Sequence, residues 1–148
     1  MISTRYNTWV STGMENKCQS IIVVNDTGAI LAGLPMSLPA KHVTTRKIVN
    51  EVIDRESREL LSMMIETQRL DIVDVDSHSF MTAKSSAIRK RGLNRLSNAD
   101  LSVLALAISI KEKCPESRVL VATDDYALQE AVRLAGLDFI TVRYRGIK

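Results

Sequence analysis

Residues 20–28 read SIIVVNDTG, and they give the clearest indication of the fold class. Ile21 to Val24 form an unbroken β-branched run, as found in strands that are buried on both faces of a parallel sheet. The run ends in Asn25-Asp26-Thr27-Gly28, a combination that marks a turn. A buried strand with an acid directly behind it predicts an α/β fold with a polar site at the end of that strand.

Outward from this strand, the hydrophobic pattern alternates between strands and helices. Further strands are predicted over 70–75, 118–122 and 139–142, and helices are predicted to begin near residues 45, 56, 77, 97 and 126. This order predicts a three-layer α/β/α domain over 20–148, with helices on both faces of a central, mainly parallel sheet. Residues 1–19 show no sustained period, and we expect an N-terminal arm whose structure the sequence does not decide.

Composition limits the classes of function. The 148 residues suit one domain, and the net charge of +3 is compatible with a polyanionic partner without establishing one. Cys18 and Cys114 form no C-x-x-C pair, so we expect neither a zinc site nor a disulfide framework, which suits a reducing cytoplasm. No apolar run is long enough to span a membrane, so no membrane partner is expected.

Five acids stand where an α/β fold places its ligands. Asp26, Asp124 and Asp125 directly follow predicted buried strands, Asp100 lies in the first turn of a helix, and Glu51 lies on another helix. Clustered carboxylates repel one another unless a cation neutralises them, and their oxygens suit Mg²⁺ or Mn²⁺. Taken singly, each acid also has a simpler interpretation as a helix cap, turn or solvated residue. Their joint placement favours metal-assisted phosphodiester hydrolysis.

Four segments of the chain resemble the motifs of PIN domains, in the correct order. They are 24–31 (VNDTGAIL), 45–52 (TRKIVNEV), 96–101 (LSNADL) and 121–129 (VATDDYALQ). The last two segments, together with the closing residues 145–148, are most similar to the Nob (NIN-one-binding) branch, whose members trim the 3′ end of small-subunit ribosomal RNA. The resemblance covers residues 20–148.

The resemblance implies an endoribonuclease that uses one or two Mg²⁺ or Mn²⁺ ions. Asp26, Glu51, Asp100 and either Asp124 or Asp125 would be the catalytic metal ligands, and the sequence does not choose between the last two. Thr27 and Thr123 would support these ligands. Gly28 is a departure, since many PIN domains have Ser there. The Nob branch usually continues into a zinc ribbon, whereas this sequence stops at Lys148, so no zinc is expected in this chain.

Two acid-free basic segments are candidates for contacts with RNA. The first segment runs directly into the helix that carries Asp100, and the second closes the chain, where Tyr144 is a candidate for base stacking. The basic residues singled out are Lys84, Arg89, Lys90, Arg91, Arg95, Arg143 and Arg145. The isolated His42 and His78 are expected to be surface or loop residues, which argues against a histidine-based mechanism.

Three alternatives to a ribosomal RNA nuclease stay open at this stage. A toxin-type PIN ribonuclease would be silenced by an antitoxin partner. A non-catalytic RNA-binding assembly factor would use the PIN scaffold without cutting. A phosphatase-like α/β domain would also cluster acids at strand ends, although it offers no place for the Glu51 motif. PIN domains often form homo-oligomers, but nothing in the sequence identifies an interface.

Overall fold

The protein is described from a computed structural model, which covers residues 18–91 and 96–143 and omits side-chain detail at 86–91. The strands are β1 (Ile21–Asn25), β2 (Lys41–Thr44), β3 (Asp71–Ile72), β4 (Arg118–Ala122) and β5 (Asp138–Ile140). The helices are α1 (Thr27–Leu31), α2 (Leu34–Ser37), α3 (Arg46–Asn50), α4 (Arg55–Glu66), α5 (Ser77–Arg91), α6 (Asn98–Lys113) and α7 (Tyr126–Leu134).

The five strands form one parallel sheet in the order β3-β2-β1-β4-β5. From β1 the chain runs outward to β2 and β3, and it later returns to place β4 on the other side of β1. The strand order therefore reverses between β1 and β4, which is the point where open α/β sheets bind their ligands. The predicted three-layer α/β/α fold with a central parallel sheet is confirmed.

Alternating residues of β1 enter two separate hydrophobic clusters. Ile22 and Val24 belong to the larger cluster, which includes the apolar residues of α6 and α7. Val23 belongs to the smaller cluster, with Ala29 of α1 and Leu34 of α2. Helix α6 is buried along most of its length and packs on β1 and β4, so it holds its own first turn firmly against the sheet edge.

Local signals placed most element starts correctly. Thr45 caps α3 as predicted, since its side chain accepts the N–H of Ile48. Ser97 and Asp100 form the predicted capping box at the start of α6. The predicted strands over 70–75 and 139–142 are shorter and shifted, because the structure pairs only Asp71–Ile72 and Asp138–Ile140.

The sequence interpretation missed β2 and misplaced His42. The Lys41–Thr44 segment carries only one apolar residue, so it has no strand signal of its own, and its pairing with β1 makes it a strand. His42 is not a surface residue but is 2% exposed on this strand. Its Nδ1 accepts from Asn25 Nδ2 at 3.0 Å and its Nε2 donates to Leu38 O at 2.7 Å. Burial lowers the pKa of His42, in keeping with a neutral ring held in place by both contacts.

The expectation of no disulfide is also wrong. Cys18 and Cys114 are 96 residues apart in sequence, but the fold brings their Cα atoms to 5.6 Å and they form a disulfide. The bond joins the segment before β1 to the C-terminal cap of α6. The cysteine argument for a reducing compartment therefore no longer applies. Separately, none of the helices in the described part of the chain has the length and apolar character needed to cross a bilayer.

Candidate active site

Asp26 lies at the reversal point of the sheet, directly after β1. Its main-chain N–H donates to Ala122 O at the end of β4, and its Oδ1 caps α1 by accepting the N–H of Ala29 at 2.8 Å. The residue is 9% exposed. Burial is the main cause that raises the pKa of Asp26, and the negative charges of Asp100 and Asp124 add to it.

Thr123 joins the two central strands at the site. The side chain is fully buried and hydrogen-bonds the Asp26 carboxylate, an interaction that by itself lowers the pKa of Asp26. The same hydroxyl oxygen accepts the N–H of Asp125 at 3.0 Å. One hydroxyl thus orients both the acid after β1 and the main chain after β4.

Asp100 reaches the site from the first turn of α6. Its N–H donates to Ser97 Oγ at 3.0 Å, and its Oδ2 accepts the N–H of Ser97 at 3.4 Å, so the capping box holds the carboxylate in place. Burial is again the main cause that raises the pKa of Asp100, and the charges of Asp125 and Glu51 add to it. Asp100 therefore caps α6 and also belongs to the acid cluster, by which we mean Asp26, Glu51, Asp100, Asp124 and Asp125.

Glu51 stands at the exposed rim of the site, as the C-cap of α3. Its Oε1 accepts from Thr27 Oγ1 at 2.7 Å. Thr27 therefore supports the rim acid, whereas Thr123 supports the buried one. A Cβ on Gly28 would lie 3.5 Å from Asp26 Oδ1, an ordinary contact distance. The site therefore has room for the Cβ of the serine that many PIN domains have at this position.

The consecutive acids Asp124 and Asp125 have different surroundings. Both oxygens of Asp124 accept main-chain N–H groups, from Val142 at 2.7 Å and from Arg143 at 2.9 Å. Asp125 is exposed and caps α7, and its Oδ1 accepts the N–H groups of Ala127 and Leu128 at 2.8 and 3.2 Å. Asp124 therefore tethers the chain after β5, whereas Asp125 lies at the open side of the site.

A buried hydroxyl chain, which the sequence interpretation missed, connects the helices of Glu51 and Asp100. Ser102 Oγ donates to Ala99 O at 2.6 Å, so it must accept the hydrogen of Thr45, whose Oγ1 lies 2.7 Å away. Thr45 Oγ1 in turn accepts the N–H of Ile48. Thr45 and Ser102 are each 1% exposed. The hydrogens of both hydroxyls and of the Ile48 N–H all have acceptors, so this hydrogen-bond network fixes the start of α3 to the first turn of α6.

The acids converge without forming a closed cage. Within 18–91 and 96–143, no three acid, histidine or cysteine side chains lie close enough to surround a metal ion. Mg²⁺ does not need such a cage, because it keeps several waters and is usually held by one or two carboxylates together with a substrate phosphate. Burial and mutual repulsion at Asp26 and Asp100 are costs that a cation would relieve. The donor set therefore fits a hard divalent ion.

The structure covers only part of the predicted basic segments. Of the first segment, Lys84 is described, and it lies one turn after Phe80 on α5. A further cation stands nearby, since Lys47 Nζ of α3 lies 5.4 Å from the centre of the Phe80 ring. Arg143 is exposed, with its Nε 4.0 Å from Asp124 Oδ2. Arg95, Tyr144 and Arg145, and the side chains of Arg89, Lys90 and Arg91, lie outside the described residues.

Comparison with known proteins identifies relatives of this arrangement. Residues 23–110 match a family model described as the PIN domain of ribonuclease. The chain is 42% identical over 125 residues to ribonuclease VapC3 of Aeropyrum pernix, an alignment that covers 84% of this chain and 88% of the relative. It is 36% identical over 126 residues to endoribonuclease Nob1 of Pyrococcus abyssi, covering 85% and 71%. Endoribonuclease Nob1 of Methanothermobacter thermautotrophicus is 30% identical, covering 73% and 61%.

Proposed function

The chain belongs to the PIN-domain ribonuclease family, and from this premise we propose that it is a divalent-metal-dependent endoribonuclease that cuts single-stranded RNA. The observation that carries the proposal is the position of two acids at the reversal point of the sheet: Asp26 is buried, and Asp100 is half-buried with its negative charge acting on Asp26. A protein does not gain stability from two such charges, so their placement supports a function that needs them.

In this proposal Asp26 and Asp100 hold the ion from the buried side and Glu51 and Asp125 complete the ligand set at the rim. When bound, Mg²⁺ or Mn²⁺ supplies an activated water and neutralises charge on the phosphate. The residues of the chain do the positioning: Thr123 orients Asp26, Ser97 orients Asp100, and Thr27 orients Glu51. These hydrogen bonds hold the acids in place before substrate arrives.

We assign the fourth ligand to Asp125 instead of Asp124. Both carboxylate oxygens of Asp124 already accept main-chain N–H groups, and its role is to anchor Val142 and Arg143. The charge of Asp124 acts on Asp26 and that of Asp125 acts on Asp100, so these charge effects do not separate the two acids. Asp125 is the exposed one of the two. Asp125→Asn should therefore lower Mn²⁺-dependent cleavage by about 10- to 100-fold in a folded protein. Asp124→Asn should lower the thermal midpoint and leave the cleavage rate close to that of wild type, and the reverse pattern would exchange the two roles.

The substrate proposed is precursor ribosomal RNA at the mature 3′ end of the small-subunit molecule. The support is the 36% identity to an endoribonuclease Nob1, together with the resemblance of the segments around Asp100 and Asp124 to that branch. The 42% identity to ribonuclease VapC3 supports a second candidate, a toxin-type ribonuclease that an antitoxin protein would silence. The RNA that is cut distinguishes the two candidates.

The test is cleavage of a short RNA that spans this 3′ end, with Mn²⁺ and with EDTA. We expect a single metal-dependent cut at the junction, lost in Asp26→Asn. Metal-dependent cutting elsewhere, together with growth inhibition on expression, would replace the ribosomal role by the toxin role. Cutting that survives in EDTA or in Asp26→Asn would overturn the metal-dependent mechanism. RNA binding without cleavage in any metal would leave a non-catalytic binding protein.

A further inference from the structure

Tyr126 is an exposed aromatic residue at the edge of the acid cluster. It follows Asp125 directly, opens α7, and is 84% exposed, more than the other large apolar side chains that stand at the surface of the described chain. Exposure alone carries no function, since single apolar residues are common on protein surfaces. Because Tyr126 directly follows Asp125, its exposed ring is available to a substrate that binds at the acids.

The main chain on both sides of the acid pair is held in place. Asp125 accepts the N–H groups of Ala127 and Leu128, which fixes the turn that carries Tyr126. Asp124 accepts the N–H groups of Val142 and Arg143, which fixes the segment that carries the Arg143 guanidinium. Two consecutive acids thus hold the main-chain segments that carry an exposed aromatic residue and an exposed cation.

This pair of groups suits the chemistry of single-stranded RNA. Proteins bind unpaired nucleotides by stacking bases on aromatic side chains and by placing cations on the phosphates. An acidic site repels the RNA backbone until a cation is present, so affinity must come from contacts that the repulsion does not weaken. A stacked base is uncharged and meets this requirement, whereas a paired base in a duplex has no free face to offer.

We propose that Tyr126 is the stacking platform for one unpaired base of the RNA, next to the phosphate that is cut. Arg143 contacts the backbone of the same strand. The inference rests on the proposed function and deepens it, because it makes an unpaired base beside the cleavage point a condition of binding. It also gives the acid-rich edge of the sheet a contact that is independent of metal.

Binding is measured on the uncut complex, with fluorescently labelled single-stranded RNA and the Asp26→Asn protein in EDTA. Adding Tyr126→Ala should weaken binding by about 5- to 140-fold, the range expected for loss of one stacked base. Adding Tyr126→Phe should keep the affinity, because the ring remains. Met63→Ala is the control, since Met63 is an exposed apolar residue of α4, which carries none of the five site acids; it should leave the affinity unchanged.

Salt dependence separates stacking from charge. Tyr126→Ala should lower the affinity equally at every salt concentration, because a stacked base releases no counterions. Arg143→Ala should instead reduce the slope of log affinity against log salt by about 1. Loss of slope in Tyr126→Ala would mean that the substitution displaces Arg143, and it would overturn the stacking role.

An abasic scan locates the stacked nucleotide. We expect one position at which removing the base weakens the Tyr126 protein and leaves Tyr126→Ala unaffected. The proposal is overturned if Tyr126→Ala binds as tightly as its parent, if Tyr126→Phe is as weak as Tyr126→Ala, or if no abasic position distinguishes the two proteins. If the wild type cuts RNA while one of these results is obtained, only the stacking role has failed; absence of both cleavage and binding would remove the proposed function itself.

Discussion

The inner and outer parts of the acid cluster differ in burial and not in helix capping, since Asp125 of the outer part also caps a helix start. The inner pair, Asp26 and Asp100, is tied to helix starts by main-chain hydrogen bonds, and burial raises both pKa values. The outer rim, with Glu51 and Asp125, is exposed. The electrostatic cost is thus concentrated in the inner pair, where a cation gains most, while the rim is accessible to substrate. We infer that the inner pair determines metal affinity and that the rim adjusts catalysis and recognition.

The largest effect is expected when one inner and one rim acid are compared directly. Asp100→Asn should lower the single-turnover cleavage rate by about 1000-fold, since losing an ion worth about 4 kcal/mol corresponds to three factors of ten. Glu51→Gln should cost about 10- to 100-fold, as for groups that tune a metal site. Both rates are measured across a Mn²⁺ titration. Equal losses would remove the distinction between inner pair and rim.

A smaller loss of cleavage is expected when the Thr45 and Ser102 hydroxyls, which connect the helices of Glu51 and Asp100, are removed. Thr45→Val should lower cleavage by about 10-fold and stability by about 1–2 kcal/mol, because it removes the cap of α3 and leaves Ser102 without its donor. Ser102→Ala should have a similar effect on cleavage, and the double variant should cost less than the sum. Thr45→Ser keeps the hydroxyl and should retain the activity. Additive losses would mean that the two residues act separately.

The pH dependence of stability should distinguish the inner pair without any catalysis. A carboxyl whose pKa is raised on folding contributes stability that is fully present below its ordinary pKa of 3.8 and is lost as pH rises through the raised value. In EDTA, the contribution of these two carboxyls to the free energy of urea unfolding should therefore fall as the pH rises. Asp26→Asn and Asp100→Asn should each flatten this profile and be more stable than wild type at neutral pH. An unchanged profile would contradict the burial cost.

The smallest effect on cleavage is expected when the Cys18–Cys114 disulfide, which lies away from the inner pair and the rim, is reduced. Closing a loop of 96 residues restricts the unfolded chain, so reduction should lower stability by about 2–4 kcal/mol. Cleavage at room temperature should stay unchanged, because neither cysteine contacts the acids. Thermal melts and cleavage rates are compared with and without dithiothreitol, with Cys18→Ser as the permanently open form. A parallel loss of cleavage would show that the bond is coupled to the site.

Local signals were enough to predict the parts of the site that depend on nearest neighbours. The β-branched run of β1 predicted a buried strand with Asp26 at its end, and the pattern Ser97 to Asp100 predicted a capping box; the structure has both. Burial periodicity and helix capping act over a few residues, so a single sequence displays them in full. The parallel sheet followed from the alternation of strands and helices.

Contacts between residues far apart in the chain determined β2, the disulfide and the surroundings of the acids. β2 exists because Val43 and its neighbours pair with β1, and the disulfide exists because the fold brings Cys18 to Cys114. The different surroundings of Asp124 and Asp125 depend on Val142 and Arg143, and the Thr45–Ser102 contact spans 57 positions. The sequence was sufficient to predict the β-branched strands and the starts of the capped helices. Which side chains meet depends on the folded structure, because hydrogen bonds and charges act through space and not along the chain.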